Sequence, residues 1–179
     1  NVDANLALAS IYETKGSPMQ NQEKAFQYFE KASSLGSMPA KHKIAIRYFE
    51  GNGTPKNLDA SEKAFTAVVK DVSNGDNVGL KKSANDYLLE IYQQQRDWEK
   101  VYEVAKKINK GQGGWEVDRK RALELIKKSA NAGQKEALLW MGTQHEYSLI
   151  SNSSEKEALR FYEKAKAKGS VEAKQRLED

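Results

Sequence analysis

The stretch Ala25-Phe26-Gln27-Tyr28-Phe29-Glu30-Lys31-Ala32, followed by Gly36 and Ala40, decides the fold. Counting from Ala25, a small residue falls at plus seven, glycine at plus eleven and a small residue again at plus fifteen. The same offsets recur from Ala122 (Ser129, Gly133, Ala137) and from Ala158 (Ala165, Gly169, Ala173). From Ala64 the plus-seven place is Asp71, a departure, but Gly75 and Gly79 hold the later places. The chain has only twelve glycines in 179 residues. Three further glycines at one fixed offset arise by chance roughly three times in ten thousand, so this is an internal repeat.

The spacing is helical. Apolar residues stand at plus one, three and four: Phe26, Tyr28, Phe29; Phe65, Ala67, Val68; Leu123, Leu125, Ile126; Leu159, Phe161, Tyr162. With the starting alanine they form one face of a helix. Small residues at zero and plus seven let a neighbouring helix approach closely. Glycine at plus eleven suits a left-handed residue that ends the helix, which predicts positive φ or close helix contacts at Gly36, Gly75, Gly133 and Gly169. The helix that follows repeats as well: small, then large apolar at plus four, small at plus five, a ring at plus eight. Ala4, Leu8, Ala9 and Tyr12 show it, as do Ala40, Ile44, Ala45 and Tyr48, and Ala137, Met141, Gly142 and His145. Strand signals are poor, because β-branched runs of period two are absent apart from a short stretch at Ala67-Val68-Val69.

These residues carry a resemblance. The first helix with its ring at plus eight, a glycine-containing loop, then a helix closing on small–x3–Gly–x3–Ala resembles the Sel-like repeat family of the tetratricopeptide-like α/α superfamily. Ala4–Ala40 and Ala137–Ala173 carry it best, and Glu116–Gly133 and Ala40–Gly79 also match. The expected fold is all-α: a right-handed α/α solenoid of about five helix pairs with an irregular junction near 96–116. One repeat domain over 1–179 is expected, with repeats at 4–39, 40–78, 79–115, 116–136, 137–172 and a partial one at 173–179. The helices are placed near 3–15, 21–35, 39–51, 58–74, 79–95, 97–110, 116–132, 135–149, 154–168 and 170–178. Residues 82–115 read as one tetratricopeptide-type unit on Leu88, Tyr92, Val101, Ala105 and Ile108, with Asp97 as an N-cap. Yet Gly111-Gln112-Gly113 before Arg121-Ala122-Leu123 also reads as a repeat loop entering its second helix. The two readings are not regular together.

Composition narrows the chemistry. There is no cysteine, which excludes disulfides, thiolate metal sites and a cysteine nucleophile. The net charge is +4 with both signs interspersed, so no basic face for nucleic acid is expected. No run of 18 apolar residues occurs, so no membrane span is expected. The chain begins at Asn1 rather than methionine, as a processed or truncated chain does, and a removed signal peptide or lipid anchor is compatible with that. The two histidines, His42 and His145, lack any HxxxH or HExxH spacing. Gly51-Asn52-Gly53 and Gly111-Gln112-Gly113 lack the spacing of phosphate loops and read as turns. No metal, cofactor or catalytic residue is expected, and the protein is read as not an enzyme.

In stacks of this superfamily the first helix of each pair lines the concave face. Positions plus two, three, six, nine and ten then look into a groove. The candidate partner-binding residues on this count are Leu6, His42, Lys43, Ile46, Phe49, Leu139, Trp140, Thr143 and Tyr147. Large apolar residues at such places mark interaction surfaces. The expected function is a non-catalytic scaffold that binds a protein partner on the concave face, and the lysine excess suits an acidic partner. The resemblance implies a bacterial adaptor, with the periplasm favoured. It also implies a narrower alternative, an immunity protein that neutralises a cognate secreted (type VI) toxin. A cell-envelope enzyme with carboxylates in the groove and a structural spacer are the rivals of another class.

Overall fold

The computed structural model describes residues 1–71 and 77–178, and among them all regular structure is helical. Ten helices follow in order: α1 Val2–Glu13, α2 Gln22–Ser34, α3 Met38–Glu50, α4 Leu58–Asp71, α5 Val78–Gln94, α6 Trp98–Lys110, α7 Arg119–Asn131, α8 Lys135–Glu146, α9 Glu155–Ala167 and α10 Val171–Arg176. The all-α expectation holds, and the helices fall where the periodicity places them. The expected end of α4 at 74, and Gly75, lie outside the described residues.

The repeat has a backbone mechanism. Gly36, Gly133 and Gly169 take φ of +91°, +86° and +84°. One residue later the chain closes a longer loop onto the plus-seven carbonyl. Ser37 N–H donates to Ala32 O at 3.1 Å, Gln134 N–H to Ser129 O at 3.0 Å and Ser170 N–H to Ala165 O at 3.0 Å. This six-to-one closure ends the helix and satisfies a carbonyl that has no partner within it. The same residue opens the next helix. Ser37, Gln134 and Ser170 accept at their side-chain oxygens from Ala40, Ala137 and Ala173 N–H. Arg96, with φ +57°, takes the glycine's place between α5 and α6, where Asp97 N–H donates to Tyr92 O at 2.9 Å.

The second loop of each repeat has its own tie. The N–H of the residue that caps the second helix donates to the plus-eight carbonyl of the first. Asn21 bonds Tyr12 O at 2.9 Å, Asn57 bonds Tyr48 O at 2.8 Å and Asp118 bonds Ile108 O at 3.2 Å. Ile108 therefore holds the plus-eight place, and α6 is the first helix of a pair whose second is α7. Packing agrees: α1 lies on α2, α3 on α4, α6 on α7 and α8 on α9. Of the two readings of residues 82–133, this pairing follows the one in which Gly111-Gln112-Gly113 leads into a second helix, not the repeat over 79–115. Arg96 mimics the glycine turn and hides the boundary from a count of glycines.

The chain divides into two compact units, Asn1–Ile91 and Tyr92–Asp179. In the first unit Ala9, Ala25, Ala32, Ala40 and Ala45 are wholly buried beside Phe26, Phe29, Phe65 and Val68. The buried phenylalanines each contribute about 2–3 kcal/mol by transfer from water, and the alanines let the helix backbones approach. Ser61 Oγ donates to Ala45 O at 2.8 Å, so the hydroxyl buried between α3 and α4 is satisfied. In the second unit Val101, Ala105, Ile108, Ile126, Leu138, Met141, Tyr162 and Ala165 form the equivalent core.

Candidate partner-binding surface

In the first unit α3 carries four of the expected groove residues, and two of them, His42 and Phe49, meet α5. His42 is a correction: it is buried, 7% exposed, not open to a groove. Its Nε2 lies 3.0 Å from Ser83 Oγ of α5, and its ring meets Phe65 and Tyr87 edge-on at 5.5 and 6.4 Å. The positional count assumed nothing covers that side of α3, and α5 does. Burial first, then the neighbouring Lys43 charge, hold the His42 pKa below its usual value. Lys43 is exposed and pairs with Glu13 Oε1 at 3.2 Å. Ile46 is half-buried. Phe49 is half-buried too, edge-on to Tyr87 at 5.2 Å with Lys56 Nζ 5.5 Å from its ring. Leu6 is half-buried against the cluster of Ala9, Ala25 and Phe29.

Tyr87 of α5 was not among the candidates, yet it joins them. It stacks on Phe65 at 4.8 Å and 9°. Burial, then the Glu50 and Glu90 charges, push its pKa up. It lines a cleft of about 420 Å³ with Ser83, Asp86 and Glu90. The available signal was the helical spacing of Gly79, Ser83 and Tyr87, which presents one face of α5.

Arg47 was also missed. It is 2% exposed, with its guanidinium 5.1 Å from the Phe29 ring. Nη1 donates to Gln22 Oε1 at 3.0 Å and Asn52 O at 3.2 Å, and Nη2 pairs with Glu13 Oε1 at 3.2 Å. It ties the end of α1, the start of α2 and the turn after α3. A charge at plus seven of an otherwise apolar helix spacing was the signal.

In the second unit α8 carries the remaining candidates. Leu139, Trp140 and Thr143 are half-buried, and Tyr147 is 56% exposed. Trp140, Thr143 and Tyr147 are spaced by three and four, which places them along one helix face. Thr143 Oγ1 donates to Leu139 O at 3.1 Å. Arg176 of α10 holds the end of the row, donating from Nη1 to Glu146 Oε2 at 2.8 Å and to the Tyr147 hydroxyl at 3.1 Å. Tyr162 donates its hydroxyl to Glu146 as well, and burial followed by that carboxylate pushes its pKa up to about 12. The other tryptophans differ: Trp98 is half-buried at the start of α6, and Trp115, in the loop before α7, is buried under the Arg121 guanidinium at 5.2 Å.

Among the described residues no group of three or more histidine, aspartate or glutamate side chains is placed to hold a metal. No helix of the described residues is long and apolar enough to cross a membrane.

Paired helices closed by a left-handed turn and a capped restart, with small residues at their contacts, define an α/α repeat protein. The chain belongs to the Sel1 repeat family: the family model matches residues 2–37, 39–65, 102–134 and 135–170. The matched segment 102–134 runs from within α6 through the end of α7, and the unmatched stretch between 65 and 102 holds α5. Among solved structures, a Sel1 repeat protein from Oxalobacter formigenes is 18% identical over 97% of this chain and 75% of its own, with a TM-score of 0.46. A protective antigen of uropathogenic Escherichia coli strains, which displays an SLR fold, is 18% identical over 99% of this chain and 40% of its own, at 0.46. An immunity protein from Pseudomonas aeruginosa is 17% identical over 96% of this chain and 66% of its own, at 0.40.

Proposed function

We propose that this chain is a non-catalytic scaffold that binds a protein partner through the first-helix faces of its repeats. The observation that carries the reading is the set of rings held in place yet not hidden. Phe49 and Tyr87 in the first unit and Trp140 in the second are half-buried, and Tyr147 is exposed. Rings fixed on one side by packing lose little entropy on binding and bury large areas, which is how such residues dominate interface energies. Leu6, Lys43 and Ile46 belong to this reading in the first unit, where His42 lies buried beneath them, and Leu139 and Thr143 belong to it in the second. An acidic partner and a bacterial periplasmic location belong to this reading through the charge balance and the family resemblance. An immunity role against a secreted toxin is its narrower form.

The test is capture of the partner from the native host by the tagged chain, identified by mass spectrometry, followed by binding measurements. Trp140→Ala and Phe49→Ala are expected to weaken that binding by about 2 kcal/mol each, roughly 30-fold, with the unfolding midpoint nearly unchanged. Retained affinity together with a stability loss of about 3–5 kcal/mol would move Trp140 into the core and refute the surface. A captured secreted enzyme that the chain inhibits would establish the narrower role.

A further inference from the structure

The plus-eight place of the first helix holds Tyr12 in α1 and Tyr48 in α3, and His145 in α8. The placement of the ring is shared between α1 and α8. Tyr12 stacks on Tyr28 at 5.6 Å and 5°, and His145 stacks on Phe161 at 5.3 Å and 13°. An imidazole is smaller than a phenol, and it adds a ring nitrogen where the phenol has carbon. A cavity of about 330 Å³ adjoins His145, bounded by α7, α8, α9 and the loop between the last two. His145 is 8% exposed, and its Nδ1 is buried with no hydrogen-bond partner among the described residues. Lys127, Asn131, Ser151 and Asn152 at its rim are exposed, so the space opens to solvent, and the unpaired buried nitrogen is the costly feature.

The lining has a definite chemistry. Lys127 supplies a cation, and Asn131 and Asn152 supply amide groups. Glu157 also borders the space, but its carboxylate is paired with Arg160 Nη1 at 3.3 Å. Phe161, His145's stacking partner, adds an apolar wall. One cation and two amide groups beside an apolar wall match an anionic head with a short apolar tail. The volume lies at the lower end of the range for small-ligand pockets.

We propose that this cavity binds a small monocarboxylic acid, with the carboxylate toward Lys127 and the amides and the tail against Phe161. The proposal does not rest on the partner-binding reading. Because the chain has only two histidines, the carbon-bound ring protons of His145 can be followed by NMR with His42 as an internal control. The probes are 4-methylpentanoate and its amide. The acid is expected to shift the His145 signals saturably, with a Kd of about 1 mM or below, and to leave those of His42 in place. The amide is expected to bind at least about tenfold more weakly, and Lys127→Gln to weaken the acid by about tenfold. His145→Tyr, which restores the residue of α1 and α3, is expected to raise the melting temperature by about 2–4 °C and to abolish the acid's own thermal shift. His145 signals that stay put at about 20 mM acid, equal binding of acid and amide, or undiminished binding by Lys127→Gln would each overturn the proposal. Lys127 lies on the accessible side of α7, so its variant keeps the test valid if His145→Tyr fails to fold.

Discussion

Replacing Gly142 by alanine separates what the repeat pattern says from what the packing says. At plus five of the first helix the other repeats carry Ala9, Ala45 and Ala105, so the pattern treats Gly142→Ala as an improvement. Helix propensity agrees, because alanine exceeds glycine in a helix interior by about 1 kcal/mol. The structure predicts the reverse. A Cβ built on Gly142 would stand 2.5 Å from Tyr162 Cε1 and 2.6 Å from Cδ1. That ring is 2% exposed, and its hydroxyl is held by Glu146, so it has no room to swing away. Overpacking of this kind costs about 1–3 kcal/mol, and a ring this close and this confined belongs near the upper end. After the propensity gain, a net loss of about 1–2 kcal/mol is expected, read from urea unfolding of the single variant. The equivalent pair in α6 and α7 is Ala105 with Ile126. Gly142→Ala combined with Tyr162→Ile is therefore expected to lose less than the sum of the two single changes, with a favourable coupling of about 1 kcal/mol or more. A Gly142→Ala variant as stable as the parent, or strictly additive losses, would refute the account of the small residue at plus five.

Gly133→Val should destabilise by about 1–3 kcal/mol. Its φ of +86° strains a β-branched residue, whereas its nearest neighbour is the flexible end of Lys168 at 3.1 Å, so a thermal melt as good as the parent's would remove the turn mechanism. His42 is held below its usual pKa, so the folded state takes up fewer protons than the unfolded chain just below pH 6.5. Stability should fall as the pH drops through that region, and His42→Gln should flatten the slope of the urea midpoint between pH 7.5 and 5.5; an unchanged slope assigns the dependence elsewhere. Trp115→Ala should cost about 3–5 kcal/mol in spite of its place in a loop, because the ring is buried beneath Arg121. A loss below 1 kcal/mol would show that the loop closes without it.

The amino-acid sequence alone determined the local structure of this protein and the fact of its repetition. Glycine at plus eleven, small residues at zero and seven, and apolar residues at one, three and four are conditions that each turn of helix imposes on its own neighbourhood. They can be read without knowing what lies across the core, which is why the ten helices and the positive φ of Gly36, Gly133 and Gly169 were legible. Pairing was legible only where the punctuation kept its usual residue. At Arg96 a non-glycine residue takes the left-handed turn, and the bond from Asp118 to Ile108 together with the packing of α6 on α7 shows that the two belong together. Exposure was decided by tertiary structure throughout. His42 and Ile46 are both groove positions by count, but α5 covers one and leaves the other half open, since burial depends on which helix arrives from elsewhere in the chain. The same holds at plus eight. The sequence shows a histidine where two tyrosines stand, and only the packed repeat shows the cavity that His145 borders.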